Sequence, residues 1–148
     1  MDTETAADAP WVVLDTNIVL DWLVFADGRV QPLVHALLAG QLRWVACAAM
    51  RCELTHMLGH RSLADWSPDA AAVLAVFDQM AVLRAAPATV PRPGLRCSDA
   101  DDQVFIDLAI SEAAQWLLTH DRALLKLTRR AAKHGVRIAR PCDWTAQI

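Results

Sequence analysis

Four acidic residues have the positions and spacing to form a cation site. They are Asp15, Glu53, Asp102 and Asp121. Asp15 directly follows a short apolar run, and Asp121 follows another after Thr119 and His120. Asp102 precedes an apolar segment with helical spacing, and Glu53 lies within another such segment. Carboxylates that meet in one crevice repel each other and raise one another's pKa values. A hard divalent cation removes that conflict, and oxygen-only ligands favour Mg²⁺ or Mn²⁺.

Such a cation would direct the chemistry toward phosphate esters. A divalent ion polarises a phosphoryl oxygen and lowers the pKa of water, and phosphodiester hydrolysis uses both effects. Any single acid in these positions is more commonly a helix cap or a turn residue. Glu53 has Ala49, Met50 and Met57 as neighbours one turn away, so its carboxylate lies on or beside an apolar face. That placement is costly unless something neutralises the charge, and the four acids together favour a metal site.

Apolar runs and their spacing predict the elements that would position these acids. Strands are expected at residues 11–14, 43–46, 82–83, 115–118 and 136–139, and helices at residues 18–25, 31–39, 48–58, 69–80, 102–113 and 122–134. Alternating strands and helices predict an α/β fold with a mainly parallel sheet. Asp15 and Asp121 then lie at the carboxyl ends of strands, where ligands bind in open parallel sheets. Residues 86–97 contain three prolines and one glycine and predict a loop.

The length and composition fit one domain. The chain has 148 residues, of which 55% are apolar, so we expect a disordered tail at 1–10 and a single domain at 11–148. No apolar run is long enough to span a membrane, and the N-terminus lacks a basic then apolar signal pattern. The four cysteines form no C-x-x-C pair. We therefore expect a cytoplasmic protein with reduced thiols.

The charges are strongly segregated along the chain. Residues 99–121 contain six acids and no Lys or Arg, whereas residues 122–140 contain seven bases and no acid. A cation site beside a phosphate-binding surface would require such a pattern. Two solvated faces that offset each other would give it as well, and charge alone leaves both interpretations open.

Three segments resemble the motifs of the PIN domain family. Residues 13–17, Val-Leu-Asp-Thr-Asn, are similar to the family's opening motif of an apolar strand followed by Asp-Thr-Asn. Residues 99–109 resemble the segment with the third acid, and residues 116–125 resemble the final motif of an apolar strand followed by Thr-x-Asp. Glu53 matches the helix acid in place and spacing. The resemblance covers about residues 11–142, nearly the whole chain.

The resemblance implies a fold and an activity. The expected fold is a three-layer α/β/α arrangement with a central mainly parallel sheet, and the expected activity is Mg²⁺- or Mn²⁺-dependent endonucleolytic cleavage of RNA. The nearest subgroup is the toxins of bacterial type II toxin–antitoxin pairs. It implies a homodimer and a small antitoxin protein that masks the site.

The resemblance also implies roles for individual residues. Asp15, Glu53 and Asp102 would be the main metal carboxylates, and Asp121 would bind metal directly or through water. The expected ligand- or water-orienting residues are Thr16, Asn17 and Thr119. The expected RNA-binding residues are Arg122, Lys126, Arg129, Arg130 and Lys133.

The third acid is ambiguous because Asp99, Asp101 and Asp102 lie close together. Asp102 is chosen because it stands seven residues before Ala109, as the family's acid does before its small helix residue. Asp107 is either a partner of the metal ligands or, as we expect, an exposed helix acid. Whether Asp99, Asp101 or Asp107 joins the site, and whether one or two ions bind, stays open.

Other interpretations compete with this one. A catalytically silent module of the same fold would bind nucleic acid or a protein without cutting. An acid-rich Rossmann-like phosphatase would need Asp-x-Asp after the first strand, whereas Asn17 stands in the second position here. Cys52, His56 and His60 share a helix face, but ligands from one straight helix cannot surround a zinc ion. His120 is expected to be a plain surface histidine.

Overall fold

The apolar runs form a sheet of five parallel strands in the order β3-β2-β1-β4-β5. The computed structural model describes residues 8–87 and 95–144. The strands are β1 Trp11–Leu14, β2 Arg43–Cys47, β3 Val82–Arg84, β4 Trp116–Leu118 and β5 Arg137–Ala139. The helices are α1 Thr16–Leu23, α2 Gln31–Leu38, α3 Ala48–Leu58, α4 Ala70–Met80, α5 Gln103–Ser111, α6 Arg122–Leu125 and α7 Thr128–Ala132. Short 3₁₀ segments are Gly28–Val30, Arg61–Trp66, Ala100–Asp102 and Pro141–Asp143.

Helices cover both faces of the sheet, which explains the composition of its central strands. Val12, Val13, Leu117 and Leu118 are fully buried. Continuous apolar runs, rather than alternating ones, are required when both faces of a strand are buried. β3 is exposed along its whole length, as suits its position at the edge of the sheet. The expected three-layer α/β/α fold is confirmed, and every strand pairing in the sheet is parallel.

The strand order places the topological switch point of the sheet between β1 and β4. The chain builds outward from β1 through β2 to β3 and then crosses to β4 on the other side of β1. Loops leaving the carboxyl ends of β1 and β4 therefore diverge, and open α/β sheets bind ligands at this switch point. Leu14 pairs with Leu118, so Asp15 and Thr119 follow side by side. The sheet register thus brings two sequence-distant motifs together.

The predicted helix at 122–134 is wrong as a single element. It divides into α6 and α7, because the chain tightens at Leu127, whose N–H donates to the Leu124 carbonyl three residues back. The hydroxyl of Thr128 then donates to the Leu125 carbonyl at 2.6 Å. A side chain that satisfies a helix carbonyl in this way competes with continuation of the helix.

The expected tail at 1–10 includes residues that pack against the domain. Ala9 is buried, its carbonyl accepts a hydrogen bond from Arg43 Nε at 2.7 Å, and the Pro10 carbonyl accepts from Arg43 N at 2.9 Å. Order therefore begins before Trp11. Residues 1–7 of the expected tail and residues 88–94 of the expected loop lie outside the described residues. Within the described ranges, no helix is both long and apolar enough to cross a bilayer.

Candidate metal centre

Asp15 and Thr119 meet at the carboxyl edge of the sheet. The Asp15 N–H donates to the Leu118 carbonyl at 3.0 Å, which extends the ladder between β1 and β4 by one residue. The Thr119 hydroxyl donates to Asp15 Oδ2 at 2.6 Å, and both side chains are buried. Asp15 occupies the N-cap position of α1, yet its carboxylate bonds to Thr119 instead of capping the helix. A simple capping role therefore does not account for this acid.

The same Thr119 hydroxyl also holds Asp121. The Asp121 N–H donates to Thr119 Oγ1 at 2.9 Å, so one buried hydroxyl connects two acids of the predicted set. Asp121 Oδ1 accepts from the Ala123 N–H at 2.8 Å and caps the first turn of α6. The Thr119 hydroxyl thus orients Asp15 by donating to its carboxylate and Asp121 by accepting from its backbone N–H.

Glu53 reaches the same region from α3. Its Oε2 accepts a hydrogen bond from Thr16 Oγ1 at 2.5 Å, and Thr16 is the first residue of α1. Met50, Leu54 and Leu58 of α3 are buried while Glu53 is half-buried, as its expected place beside the apolar face requires. Burial raises the pKa of Asp15 and the charge of Glu53 adds to that rise, so the two carboxylates lie within electrostatic reach.

Asp99 joins Asp102 and Asp121 in the tightest group of acids. One carboxylate oxygen from each lies within 4.8 Å of the others, an arrangement that could hold a metal ion. The sequence left Asp99 open among three neighbouring acids. The 3₁₀ turn Ala100–Asp102 explains why Asp99 lies beside Asp102, because residues three apart are aligned on one side of a 3₁₀ helix. The exposed Asp101 projects elsewhere, although its N–H donates to Asp99 Oδ1.

Asp102 is the most perturbed acid of the site. Burial raises its pKa most, followed by a hydrogen bond with Asp121 and the negative charge of Asp15, and together these bring the pKa to about 8. The same hydrogen bond lowers the pKa of Asp121, so the pair shares one proton at neutral pH. Asp102 Oδ2 is buried, with no hydrogen-bond partner within the described ranges. A buried oxygen of this kind is costly, and a cation would satisfy it.

Burial also raises the pKa of Asp15, and the charges of Glu53 and Asp121 add to that shift. The four acids predicted from the sequence, with Asp99 in addition, therefore lie in one electrostatic group. Asp15 and Glu53 are not members of the set whose oxygens meet within 4.8 Å. The donors are all carboxylates, so they fit Mg²⁺ or Mn²⁺.

Gln103 is a structural partner of the site that the sequence analysis missed. Its amide donates to the Leu95 carbonyl and accepts from the Cys97 N–H at 2.6 Å, which ties the segment before Asp99 to α5. The same amide donates to Asp107 at 3.0 Å. The expectation of an exposed Asp107 is therefore wrong, because this acid is half-buried and bonded to Gln103.

The remaining predicted side chains lie around the acids. Asn17 is exposed in the first turn of α1. The five predicted RNA-binding residues are exposed and belong to α6, α7 and the residues that directly follow each helix: Arg122, Lys126, Arg129, Arg130 and Lys133. Because α6 begins immediately after Asp121, this basic surface starts at the acidic group.

His120 is not the plain surface histidine expected from the sequence. It is half-buried, and its Nε2 lies 2.8 Å from Asp21 Oδ2 of α1. The expected helix face with Cys52, His56 and His60 is wrong, because α3 ends at Leu58 and His60 caps the next 3₁₀ segment; these residues form no metal-type cluster in the portion of the chain that the structure describes. All four cysteines are free thiols, as expected.

Comparison with known proteins gives one family. A family model described as PIN domain matches residues 11–123, a range that runs from β1 into α6 and includes every acid described above. None of the curated proteins compared with the chain matches it. The family match and the acidic group with room for a metal together favour nuclease chemistry. The chain belongs to the PIN domain family.

Proposed function

We propose that this protein is a divalent-metal-dependent endoribonuclease that hydrolyses RNA phosphodiester bonds. The observation that carries the proposal is the buried, unpartnered oxygen of Asp102 beside Asp99 and Asp121, at the switch point of the sheet. A structural acid would have a hydrogen-bond donor in such a place. An acid that binds a cation needs no such donor, because the cation satisfies its oxygen.

Each acidic residue has a role in this proposal. Asp15, Glu53, Asp102 and Asp121 hold Mg²⁺ or Mn²⁺, and the position of Asp99 adds it to the set. When bound, the ion supplies Lewis-acid polarisation of the phosphoryl group and acidifies water.

Hydroxyl groups keep the acids in their places. Thr119 fixes Asp15 and Asp121, and Thr16 fixes Glu53. These bonds hold the carboxylates of distant elements in position before substrate arrives, so less reorganisation is needed at the moment of reaction. Asn17, exposed next to Thr16, is placed to orient water or substrate.

We place the RNA backbone on the basic surface of α6 and α7. Arg122 follows Asp121 directly, so phosphate groups bound along this surface lead to the acidic group. Cationic side chains along such a surface attract the RNA backbone independently of its sequence.

RNA affinity should fall steeply with salt, and less steeply when bases of this surface are removed. Each phosphate contact contributes about 0.7 to the logarithmic salt slope for single strands. Lys126→Ala and Arg129→Ala should each weaken binding uniformly across RNA sequences and reduce the slope by about that amount. Fluorescence anisotropy with labelled RNA in EDTA measures this, with the exposed Arg61 as a matched control in Arg61→Ala. A salt-independent affinity would contradict this RNA path.

The proposal extends to partners. We infer that the protein is the toxin of a toxin–antitoxin pair in the cytoplasm, that it forms a homodimer, and that a small antitoxin protein masks the site. A groove between α1, α2 and α4, with the exposed Leu38 at its edge, offers an apolar surface for protein contacts.

A substrate assay separates the proposed enzyme from its rivals. Purified protein should cut labelled RNA with Mn²⁺, lose that activity in EDTA, and leave p-nitrophenyl phosphate intact. Turnover of the phosphomonoester without RNA cleavage would identify a phosphatase. RNA binding without cleavage at any metal concentration would identify the silent module.

A further inference from the structure

Three successive residues between β4 and α6 have three different partners. Thr119 donates to Asp15, and Asp121 belongs to the acidic group with Asp99 and Asp102. His120, between them, bonds to Asp21 at 2.8 Å. Because the acceptor is a carboxylate, Nε2 carries the hydrogen and donates. This turn is therefore held on both sides of His120.

Asp21 is a firm anchor for this histidine. It lies on α1, the helix that begins directly after Asp15, and its side chain is only 14% exposed against 28% for His120. The Asp21 carbonyl accepts from the Asp27 N–H at 2.8 Å, and Asp27 is paired with Arg29. The end of α1 and the following turn are thus joined around Asp21.

We propose that Asp21 and His120 form a positioning pair that orients Asp121 toward Asp102. This inference rests on the proposed metal site. The Thr119 hydroxyl attaches the turn to the start of α1, and the Thr119 N–H attaches it to β5 through the Ala139 carbonyl at 3.0 Å, but both bonds lie before His120. The His120 bond attaches the turn to α1 again, further along the helix, so the direction in which the next residue projects is fixed.

The pair differs from an ordinary surface ion pair. Surface pairs that are well exposed contribute little to stability. This one is half-buried and joins residues 99 positions apart, one on α1 and the other in the turn that follows β4. Outer groups that orient metal ligands typically change metal affinity by about 10- to 100-fold when removed. We expect the pair to affect the metal site more than the stability of the fold.

Mn²⁺ titration by calorimetry tests the pair in the whole chain. His120→Ala and Asp21→Ala should each weaken Mn²⁺ binding by about tenfold. The double variant should be no weaker than either single one, since both remove the same bond. His120→Gln places an amide N–H where Nε2–H lies and should restore most of the affinity. Asp78→Ala, which removes the exposed Arg51–Asp78 pair, is the matched control and should bind like wild type.

The outcomes separate this inference from the proposed function. Wild-type binding with unchanged affinity in His120→Ala and Asp21→Ala would overturn the positioning pair and leave the metal site intact. Equal weakening in Asp78→Ala, or no rescue by His120→Gln, would also overturn it. Absence of Mn²⁺ binding by the wild type would overturn both. If His120→Ala does not fold, Asp21→Ala gives the same test from α1.

Discussion

Replacing Asp102 by Asn should abolish metal-dependent RNA cleavage while the fold is retained. Asn keeps the size of the side chain but lacks the charge that a cation requires. Removal of groups that only orient metal ligands costs about 10- to 100-fold, so loss of a ligand that lies among two other acids should exceed a hundredfold. Single-turnover cleavage of labelled RNA at fixed Mn²⁺ measures the effect, and Asp15→Asn should act in the same direction.

The neighbouring Asp101 provides the control. It lies in the same 3₁₀ turn but is exposed, and only its backbone N–H contacts Asp99. Asp101→Asn should cleave at the wild-type rate. Wild-type activity in Asp102→Asn would remove Asp102 from the site. Equal loss in both variants would point to the local turn rather than to a specific ligand.

The second large effect is that metal should reverse the order of stability of the wild type and Asp102→Asn. Without metal, Asp102→Asn should be more stable than the wild type near neutral pH, because it removes a buried acid whose pKa is raised by burial and neighbouring charge. Mn²⁺ at about one hundred times its Kd should stabilise the wild type by about 2.7 kcal/mol and should not stabilise the variant. Urea unfolding with EDTA and with Mn²⁺ measures both. A variant that is less stable in EDTA and equally stabilised by Mn²⁺ would contradict the assignment.

The stability of the metal-free protein should also depend on pH, because the pKa of Asp102 changes on folding. The pKa of Asp102 rises from an ordinary value of 3.8 to about 8 on folding. Between these values the folded protein holds a proton that the unfolded chain has released, so the free energy of unfolding falls as pH rises. The stabilisation is fully present below the ordinary pKa and is lost as pH rises through the folded one. Asp121 has a lowered pKa and opposes this only in more acidic solution.

This slope should be shallower in Asp102→Asn, in which Asp15 still has a pKa raised by burial. Urea unfolding in EDTA between about pH 5 and about pH 8 should show a smaller decrease for the variant than for the wild type. Mn²⁺ affinity of the wild type should increase over the same range, because the ion must displace the proton shared by Asp102 and Asp121. Parallel slopes in the two proteins would contradict the raised pKa of Asp102.

Local sequence patterns were sufficient for the sheet and for the placement of Asp15 and Glu53 relative to their elements. The runs at 11–14 and 116–118 are apolar because central parallel strands are buried on both faces, so the strands can be recognised from composition alone. Asp15 follows directly from its strand, and α3 has the bounds Ala48–Leu58 that its apolar spacing predicts. Position relative to an apolar run is a local property, so no tertiary knowledge was needed.

Features that depend on contacts between distant residues were not accessible. The choice of Asp99 depends on a 3₁₀ turn that no apolar periodicity marks, and Gln103 acts through backbone groups of a proline-rich neighbourhood. The bond between Asp21 and His120 joins residues 99 positions apart, and no local pattern predicts it because it depends on α1 lying next to β4. The division of α6 from α7 depends on local hydrogen-bond competition at Thr128, against an uninterrupted helical pattern.

Anomalous diffraction from crystals soaked in Mn²⁺ tests the central claim most directly. We predict a manganese peak within coordination distance of Asp102 Oδ2 and Asp121, at the carboxyl ends of β1 and β4, which disappears in Asp102→Asn. Manganese absent from this acidic group at saturating concentration, or bound only at other surface acids, would contradict the account.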